Sequence, residues 1–384
     1  MSELETTYIS KINLKNYKSI QNLTIDLHPG LNIMIGQNGS GKTNFVQAVH
    51  SIFSESEHHK LPIGFEFGFE FTSPPDKLKK KWTGSVKEMN HQTLKGKKIK
   101  YYESKLGKIK RDALFHPDIV HKLPSLESII IPFTLPPELP YLKQASDFKG
   151  SVTESIDEAY KRVGYFLFED ELGYFEPFQF ESRLDFMPSE WSDWDESEKD
   201  DLEKKIKVDE QLVRHLKHFS PIKDCRPASG YTIKIHENGG IIHHVMLEFL
   251  VNSNWYSWNE LSDGTKRLFY IISQTLNNQS LVMIEEPEIG LHPDQLFRIM
   301  DFLKRQSETK QIIITTHSPD VLNILEKDEL HQIVITQIDV QKGTLMQHLS
   351  PQKMQKALRY MNAEGLELKD FWLHSNLEEL DEAK

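Results

Sequence analysis

Eight consecutive residues, Gly36-Gln37-Asn38-Gly39-Ser40-Gly41-Lys42-Thr43, have the types and spacing of a phosphate cradle. The pattern is G-x-x-x-x-G-K-[ST], a Walker A loop. Gly36, Gly39 and Gly41 let successive backbone N–H groups turn toward phosphate oxygens, with Asn38 and Ser40 between them. The Lys42 ammonium can reach the β- and γ-phosphates of a nucleoside triphosphate, and the Thr43 hydroxyl can ligate Mg²⁺. A helix continuing through Asn44 adds the positive end of its dipole.

Three later segments carry the complementary chemistry. The apolar run Leu281-Val282-Met283-Ile284 ends in Glu285-Glu286, the form of a Walker B strand. Glu285 is then the metal-side acid, and Glu286 the general base that polarises the attacking water. Gln311-Ile312-Ile313-Ile314-Thr315-Thr316 ends in His317, on the strand edge where open α/β sheets bind ligands and within reach of a γ-phosphate. Leu261-Ser262-Asp263-Gly264-Thr265 precedes a helical run; Ser262 is placed to cap it, and the Ser262 hydroxyl with the Gly264 N–H forms an anion site. Taken singly, these are an acidic turn, a structural histidine and an ordinary helix start. Their order and spacing join them into one triphosphate site. No Ser-His-Asp, Cys-His or zinc-ligand arrangement competes with it.

The elements that position these residues read as α/β. Leu31–Ile35 is a buried strand, and Asn44–Val49 has helical spacing. Phe65–Phe71 alternates at period two, with phenylalanines for the core and glutamates for solvent, and Pro74-Pro75 ends it. Asn238-Gly239-Gly240 between two β-rich runs, Tyr231–Ile235 and Ile241–Phe249, signals a hairpin. Asp147–Glu171 and Glu198–His218 read as helical, without the heptads of a coiled-coil arm. After His317 come a helix, a hairpin around Lys342-Gly343 and a terminal helical segment. The expected architecture is a mixed sheet carrying Gly36–Thr43, Glu285–Glu286 and His317 along one edge. Residues 1–75 and 225–384 would form the nucleotide-binding core, and 76–224 an inserted lobe with the basic segment and helices.

The chain has 384 residues, 27% charged and 38% hydrophobic, enough for a sizeable core. No apolar run is long enough to span a bilayer, so no membrane partner is expected. The acidic start Met1–Glu5 lacks a signal core, and Cys225 is the single cysteine, which fits a reducing cytoplasm. A net charge of −11 argues against a general nucleic-acid coat. Asp76–Asp112 nevertheless has 13 Lys/Arg against four Asp/Glu, with Trp82, Tyr101 and Tyr102 interleaved. The Lys79–Arg111 stretch is therefore a candidate nucleic-acid contact, or a solvated face balanced by the acidic Glu190–Glu203 segment.

Together the motifs resemble ABC-type ATPase heads, whose LSGGQ signature loop is read here by Leu261–Thr265. They are most similar to the RecF, SMC and OLD branch. Gly36–Asn44 matches its G-x-N-G-S-G-K-[ST]-N loop, Glu285–Glu288 and Leu291–Pro293 its E-E-P-E…L-H-P, and Ile12–Ile20 its opening segment. The resemblance implies a P-loop NTPase head using ATP and Mg²⁺, with ATP held between two protomers. Ser262 and Gly264 would then touch the γ-phosphate bound on the partner, His317 would sense it in its own subunit, Leu291-His292 would lie at the dimer interface, and Lys18 near the nucleotide. Glu285 stands where most of the family has aspartate, and Gln179 is the candidate Q-loop glutamine. The stretch after His317 is short for the Toprim nuclease module of OLD proteins, so ATP hydrolysis is the expected chemistry. Relatives of this size look like the ATPase half of anti-phage defence systems, paired with a nuclease or toxin effector. The alternatives are a RecF-like DNA-repair ATPase without an effector and a transporter subunit, the latter disfavoured by Thr43-Asn44 where transporter heads carry Ser-Thr.

Overall fold

In a computed structural model of the chain, the apolar runs preceding the loop motifs become neighbouring strands of one mixed sheet. The structure describes residues 8–53, 61–73, 78–90, 98–106, 109–112, 128–131, 184–186, 208, 210–229, 232–236, 239–243, 247–276, 281–364 and 367–375. Strands β1 (Tyr8–Tyr17), β2 (Ile20–Asp26) and β3 (Leu31–Ile35) lead to helix α1 (Lys42–Phe53). Next come β4 (Glu66–Ser73), β5 (Leu78–Asn90), β6 (Lys98–Leu106), β7 (Ile109–Asp112) and β8 (Ser128–Ile131). Then follow β9 (Leu184–Phe186), α2 (Glu210–Phe219), β10 (Ile222–Pro227), β11 (Thr232–His236), β12 (Gly239–His243), β13 (Leu247–Val251), β14 (Asn254–Ser257) and α3 (Asp263–Leu276). The chain continues through β15 (Leu281–Glu285), α4 (Pro293–Gln306), β16 (Gln311–Thr316), 3₁₀ turns at Pro319–Ile324 and Leu330–Gln332, β17 (Ile333–Asp339), β18 (Gly343–His348), α5 (Pro351–Glu364) and α6 (Leu368–His374). It divides into two compact units, Met1–Phe133 with Gln274–Lys384, and Thr134–Ser273.

In the first unit, twelve strands form one sheet among the described residues, in the order β7-β6-β5-β4-β1-β2-β18-β17-β3-β16-β15-β8. The five strands from β17 to β8 are mutually parallel. Every residue of β3, β15 and β16 is buried, as parallel strands covered on both faces require. Each fully buried Ile, Leu or Val contributes about 1.5–3 kcal/mol to this core. Register aligns the strand ends: Thr316 pairs with Ile35, and Glu285 with Thr315. Gly36, Glu286 and His317 therefore leave the sheet along one edge, as the sequence patterns predict.

The antiparallel half corrects one expectation. The described part of the basic segment forms β5, β6 and β7, which extend this sheet through β4 rather than standing in an inserted lobe. Lys81 faces Glu70 at 3.7 Å, Lys15 faces Glu66 at 3.5 Å and Lys11 faces Asp26 at 3.1 Å. The lysines hide the strand alternation in the sequence, while the buried face keeps it. Phe69 of β4 packs on Phe53 at 5.2 Å and on Trp82 at 5.7 Å between ring centroids. The acidic Glu190–Glu203 segment, Asp147–Glu171 and Gln179 lie outside the described residues.

In the second unit, β10-β13-β14 and β11-β12-β9 form two small sheets. The expected hairpin exists, but it turns between His236 and Gly239, and the run after it divides between the two sheets. Within Glu198–His218, helix is described only from Glu210. Phe249 packs on Phe269 at 5.0 Å and Trp258 on Phe269 at 5.6 Å, fixing the start of α3. No helix among the described residues is long and apolar enough to cross a membrane.

Hairpin β17–β18 sets the conformation of the loop after β3. A Cβ on Gly36 would lie 2.0 Å from the Thr336 carbonyl oxygen, and one on Gly41, at φ +102°, would lie 1.9 Å from Thr344 Oγ1. At Gly39, φ +79°, the space is open. The turn entering β3 is pinned by buried amides: Asn32 accepts from His28 N at 2.8 Å, and Gln311 donates to His28 O at 2.8 Å. Burial, then the His331 and His348 rings, lower the His28 pKa to about 4.

Two predictions follow from this packing. Gly36→Ala should destabilise the fold by about 1–3 kcal/mol, because a backbone oxygen must move, whereas Gly39→Ala should cost no more than about 1–2 kcal/mol of left-handed strain. Equal losses in urea unfolding would contradict the packing argument. Folded His28 stays neutral between its ordinary pKa of 6.5 and about 4, while the unfolded chain takes up a proton, so this group makes stability fall as pH drops through that window. His28→Gln should lose less stability than the parent over that window; identical pH slopes would contradict it.

Candidate nucleotide-binding site

The loop after β3 is closed on itself by its lysine. Lys42 is 5% exposed, and its Nζ donates to the carbonyls of Gly36 (2.7 Å) and Gln37 (3.0 Å), with Ser40 Oγ at 3.5 Å. Gln37, Asn38, Gly39 and Thr43 are exposed at the mouth of the loop, while Gly36, Ser40 and Gly41 are buried. Burial lowers the Lys42 pKa, and the negative charges of Glu286, Glu288 and Glu285, in that order, oppose the effect. The phosphate loop and the acidic strand tip thus share one electrostatic field.

The β1–β2 turn buttresses the first turn of α1. Asn44 Nδ2 donates to Ser19 Oγ at 2.7 Å, and Ser19 Oγ also bonds Thr344 Oγ1 at 2.7 Å. Lys18 is exposed, at φ +49°, and its Nζ donates to Gln47 Oε1 at 2.5 Å. That bond places it beside α1, the helix that opens at Lys42.

Glu285, 8% exposed, is the last residue of β15. Glu286 follows at φ +46°, a left-handed conformation that is strained for a side-chain-bearing residue. Its N–H donates to Thr315 O at 2.7 Å, and its Oε1 lies 3.3 Å from His317 Nδ1. Glu288, given no role in the sequence reading, lies 3.5 Å from the same nitrogen. The signal for it was present in the E-E-P-E run, where Pro287 makes a turn of the segment between two acids.

Thr43 and Glu285 are hard oxygen donors, the kind Mg²⁺ takes alongside phosphate oxygens and water. Among the described residues no group of three or more His, Cys, Asp or Glu forms a protein-only metal cage. That donor set fits an ion bound jointly with its substrate.

Ser262 and Gly264 belong to the second unit. Ser262 is exposed and caps α3: its Oγ accepts from Thr265 N at 3.2 Å and bonds Thr265 Oγ1 at 2.8 Å. Gly264 is buried in the first helical turn. Leu291-His292-Pro293 has a local explanation. His292 is the exposed N-cap of α4, accepting from Asp294 N at 3.4 Å, and Pro293 occupies the first helical position, where its missing N–H costs nothing.

Two family models match this chain. One, described as "AAA ATPase domain", spans residues 8–213, more than half of it. The other, described as "AAA domain, putative AbiEii toxin, Type IV TA system", spans residues 148–323. The DNA replication and repair protein RecF of Lactococcus lactis subsp. cremoris (strain MG1363) is 42% identical over 50 residues, 13% of this chain and 14% of that protein. RecF of Renibacterium salmoninarum is 41% identical over 65 residues, 16% of each. The chain thus spans only a small part of these curated relatives. Among solved structures, the Smc head domain with an extended coiled coil, bound to the C-terminal domain of ScpA and derived from Pyrococcus furiosus, superposes with TM-score 0.54 at 14% identity, covering 93% of this chain and 100% of that one. The SmcHead bound to the C-winged helix domain of ScpA gives 0.51 at 15% identity, covering 91% and 99%. At such identities the likeness is one of fold. The chain belongs to the AAA ATPase domain family and is an ATPase built on the fold of an SMC head.

Proposed function

We propose that the chain is an ATP-driven switch whose pocket is completed by a second copy. The observation that carries this reading is the meeting of Lys42 with Glu285, Glu286, Glu288 and His317 on one sheet edge. Lys42 trades the carbonyls of Gly36 and Gln37 for β- and γ-phosphate oxygens, and the N–H groups of Gly36–Asn44 cradle the phosphates. Thr43 and Glu285 would hold Mg²⁺, which when bound would neutralise phosphate charge. Glu286 accepts the proton of a water whose oxygen bonds to the γ-phosphorus as the bridging bond to ADP breaks. His317 keeps Nδ1 toward the two acids and offers Nε2 to the γ-phosphate. Lys18 approaches the nucleotide from the β1–β2 turn.

The same resemblance supports a head-to-tail dimer in which the partner's signature loop, Ser262 and Gly264, closes over the γ-phosphate. Exposure of Ser262 at the α3 N-terminus is compatible with that role. In this reading the ATPase acts in the cytoplasm, in an anti-phage defence setting, and controls a separately encoded nuclease or toxin; the second family model, whose description names a toxin and a TA system, is compatible with a toxin-linked role. The RecF matches support a second reading, a DNA-associated ATPase without an effector, with β5–β7 as the contact. Of its lysines, Lys81 pairs with Glu70 of β4. ATP turnover stimulated by DNA would favour the second reading.

Glu286→Gln should lower kcat on the order of 10²–10⁴-fold and accumulate as a dimer by light scattering with saturating ATP and Mg²⁺, whereas Lys42→Ala should stay monomeric. A monomeric Glu286→Gln protein under those conditions would contradict the switch. In cells, Lys42→Ala should abolish phage protection; unchanged protection would remove the defence role.

A further inference from the structure

The turn after β16 is organised around one acid that the hydrolysis scheme leaves idle. Glu288 Oε1 accepts the Thr316 hydroxyl at 2.5 Å and the His317 backbone N–H at 3.3 Å, and lies 3.5 Å from His317 Nδ1. Thr316 Oγ1 in turn accepts from Ser318 N at 2.9 Å. A hydroxyl with one donor and one acceptor fixed has a fixed orientation. Three consecutive residues, Thr316, His317 and Ser318, are thus tied to one carboxylate across two loops. The Glu288 side chain is 9% exposed, and Oε2 is buried with no hydrogen-bond partner among the described residues. A buried carboxylate oxygen without a donor is unfavourable, so packing alone gives no reason for an acid here.

The histidine ring reads the same geometry. Nδ1 faces Glu286 Oε1 at 3.3 Å as well as Glu288 Oε1, and carboxylate oxygens only accept. That arrangement favours hydrogen on Nδ1 and leaves Nε2 for a substrate. Glu288 also holds the backbone to which the ring is attached.

We propose that Glu288 is a positioning residue for hydrolysis: it fixes the Thr316–Ser318 turn so that His317 stays in register with Glu286 and presents Nε2 to the γ-phosphate. This rests on the ATPase reading above. In this role Glu288 acts through Oε1, on the two donors of the turn.

The test uses the full chain with Glu288→Ala, Glu288→Gln and Thr316→Val, measuring kcat, KM for ATP and amide hydrogen exchange of the peptide covering residues 311–320. Glutamine keeps an acceptor oxygen for Thr316 and His317; alanine does not. Glu288→Ala should lower kcat on the order of 10²-fold, the scale of a misplacement of about 1 Å, with KM nearly unchanged and exchange at 316–318 accelerated. Glu288→Gln should recover most of both. Thr316→Val, which preserves shape and the acid, should show the same signs more weakly, and it decides the matter if Glu288→Ala fails to fold. Parent-like kcat and exchange in Glu288→Ala, or equal losses in Ala and Gln, would overturn the proposal. If the parent itself hydrolyses no ATP, the ATPase reading falls, and the exchange data alone decide whether Glu288 holds the turn.

Discussion

Phosphate binding by backbone N–H groups needs a loop that cannot relax, and here the hairpin β17–β18 supplies that constraint. Thr336 and Thr344 occupy the space a side chain would need at Gly36 and Gly41. The carbonyl of Thr336 belongs to the sheet itself, so the loop is held by the same ladder that aligns β3, β16 and β15. Ser19 extends this support by bonding both Thr344 and Asn44, which ties the β1–β2 turn to the start of α1. The glycines are thus required by their neighbours as well as by their own dihedral angles.

Electrostatics then decides what the preformed loop can hold. Burial disfavours the Lys42 ammonium, while Glu286, Glu288 and Glu285 favour it. In this state its donors are spent on its own loop carbonyls, so a polyphosphate must replace those bonds to bind. Glu286 is held at φ +46° between the Thr315 carbonyl and the His317 ring, a conformation that costs on the order of 1–3 kcal/mol and is tolerated where the surroundings enforce it. His317 links the two acids through Nδ1, which leaves its other ring nitrogen for a phosphate.

The phosphate loop, the acidic strand tip and the histidine edge were legible in the sequence because each joins a buried apolar run to residues of fixed chemistry. Ser262 as a helix cap was legible for the same reason, since the oxygen, the N–H and the spacing are all local. Glu288 stood in the E-E-P-E run, but its role was not legible, because its partners Thr316 and His317 arrive from another strand. The β5–β7 strands were misread, since their lysines obscure a period-two pattern visible only through Trp82 and Val86 on the buried face. His292-Pro293 reads as a family motif in the sequence and as an N-cap with N1 proline in the fold.

The central claim is that Lys42 and Ser262 act together across two copies. It is tested most directly by mixing Lys42→Ala protein with Ser262→Arg protein, each inactive alone. In a head-to-tail dimer, one pocket of the mixed pair keeps both wild-type residues. The mixture should regain ATPase activity, up to about a quarter of the parent for random pairing of independent sites. A mixture as inactive as its components, despite demonstrated exchange of subunits, would contradict the shared pocket.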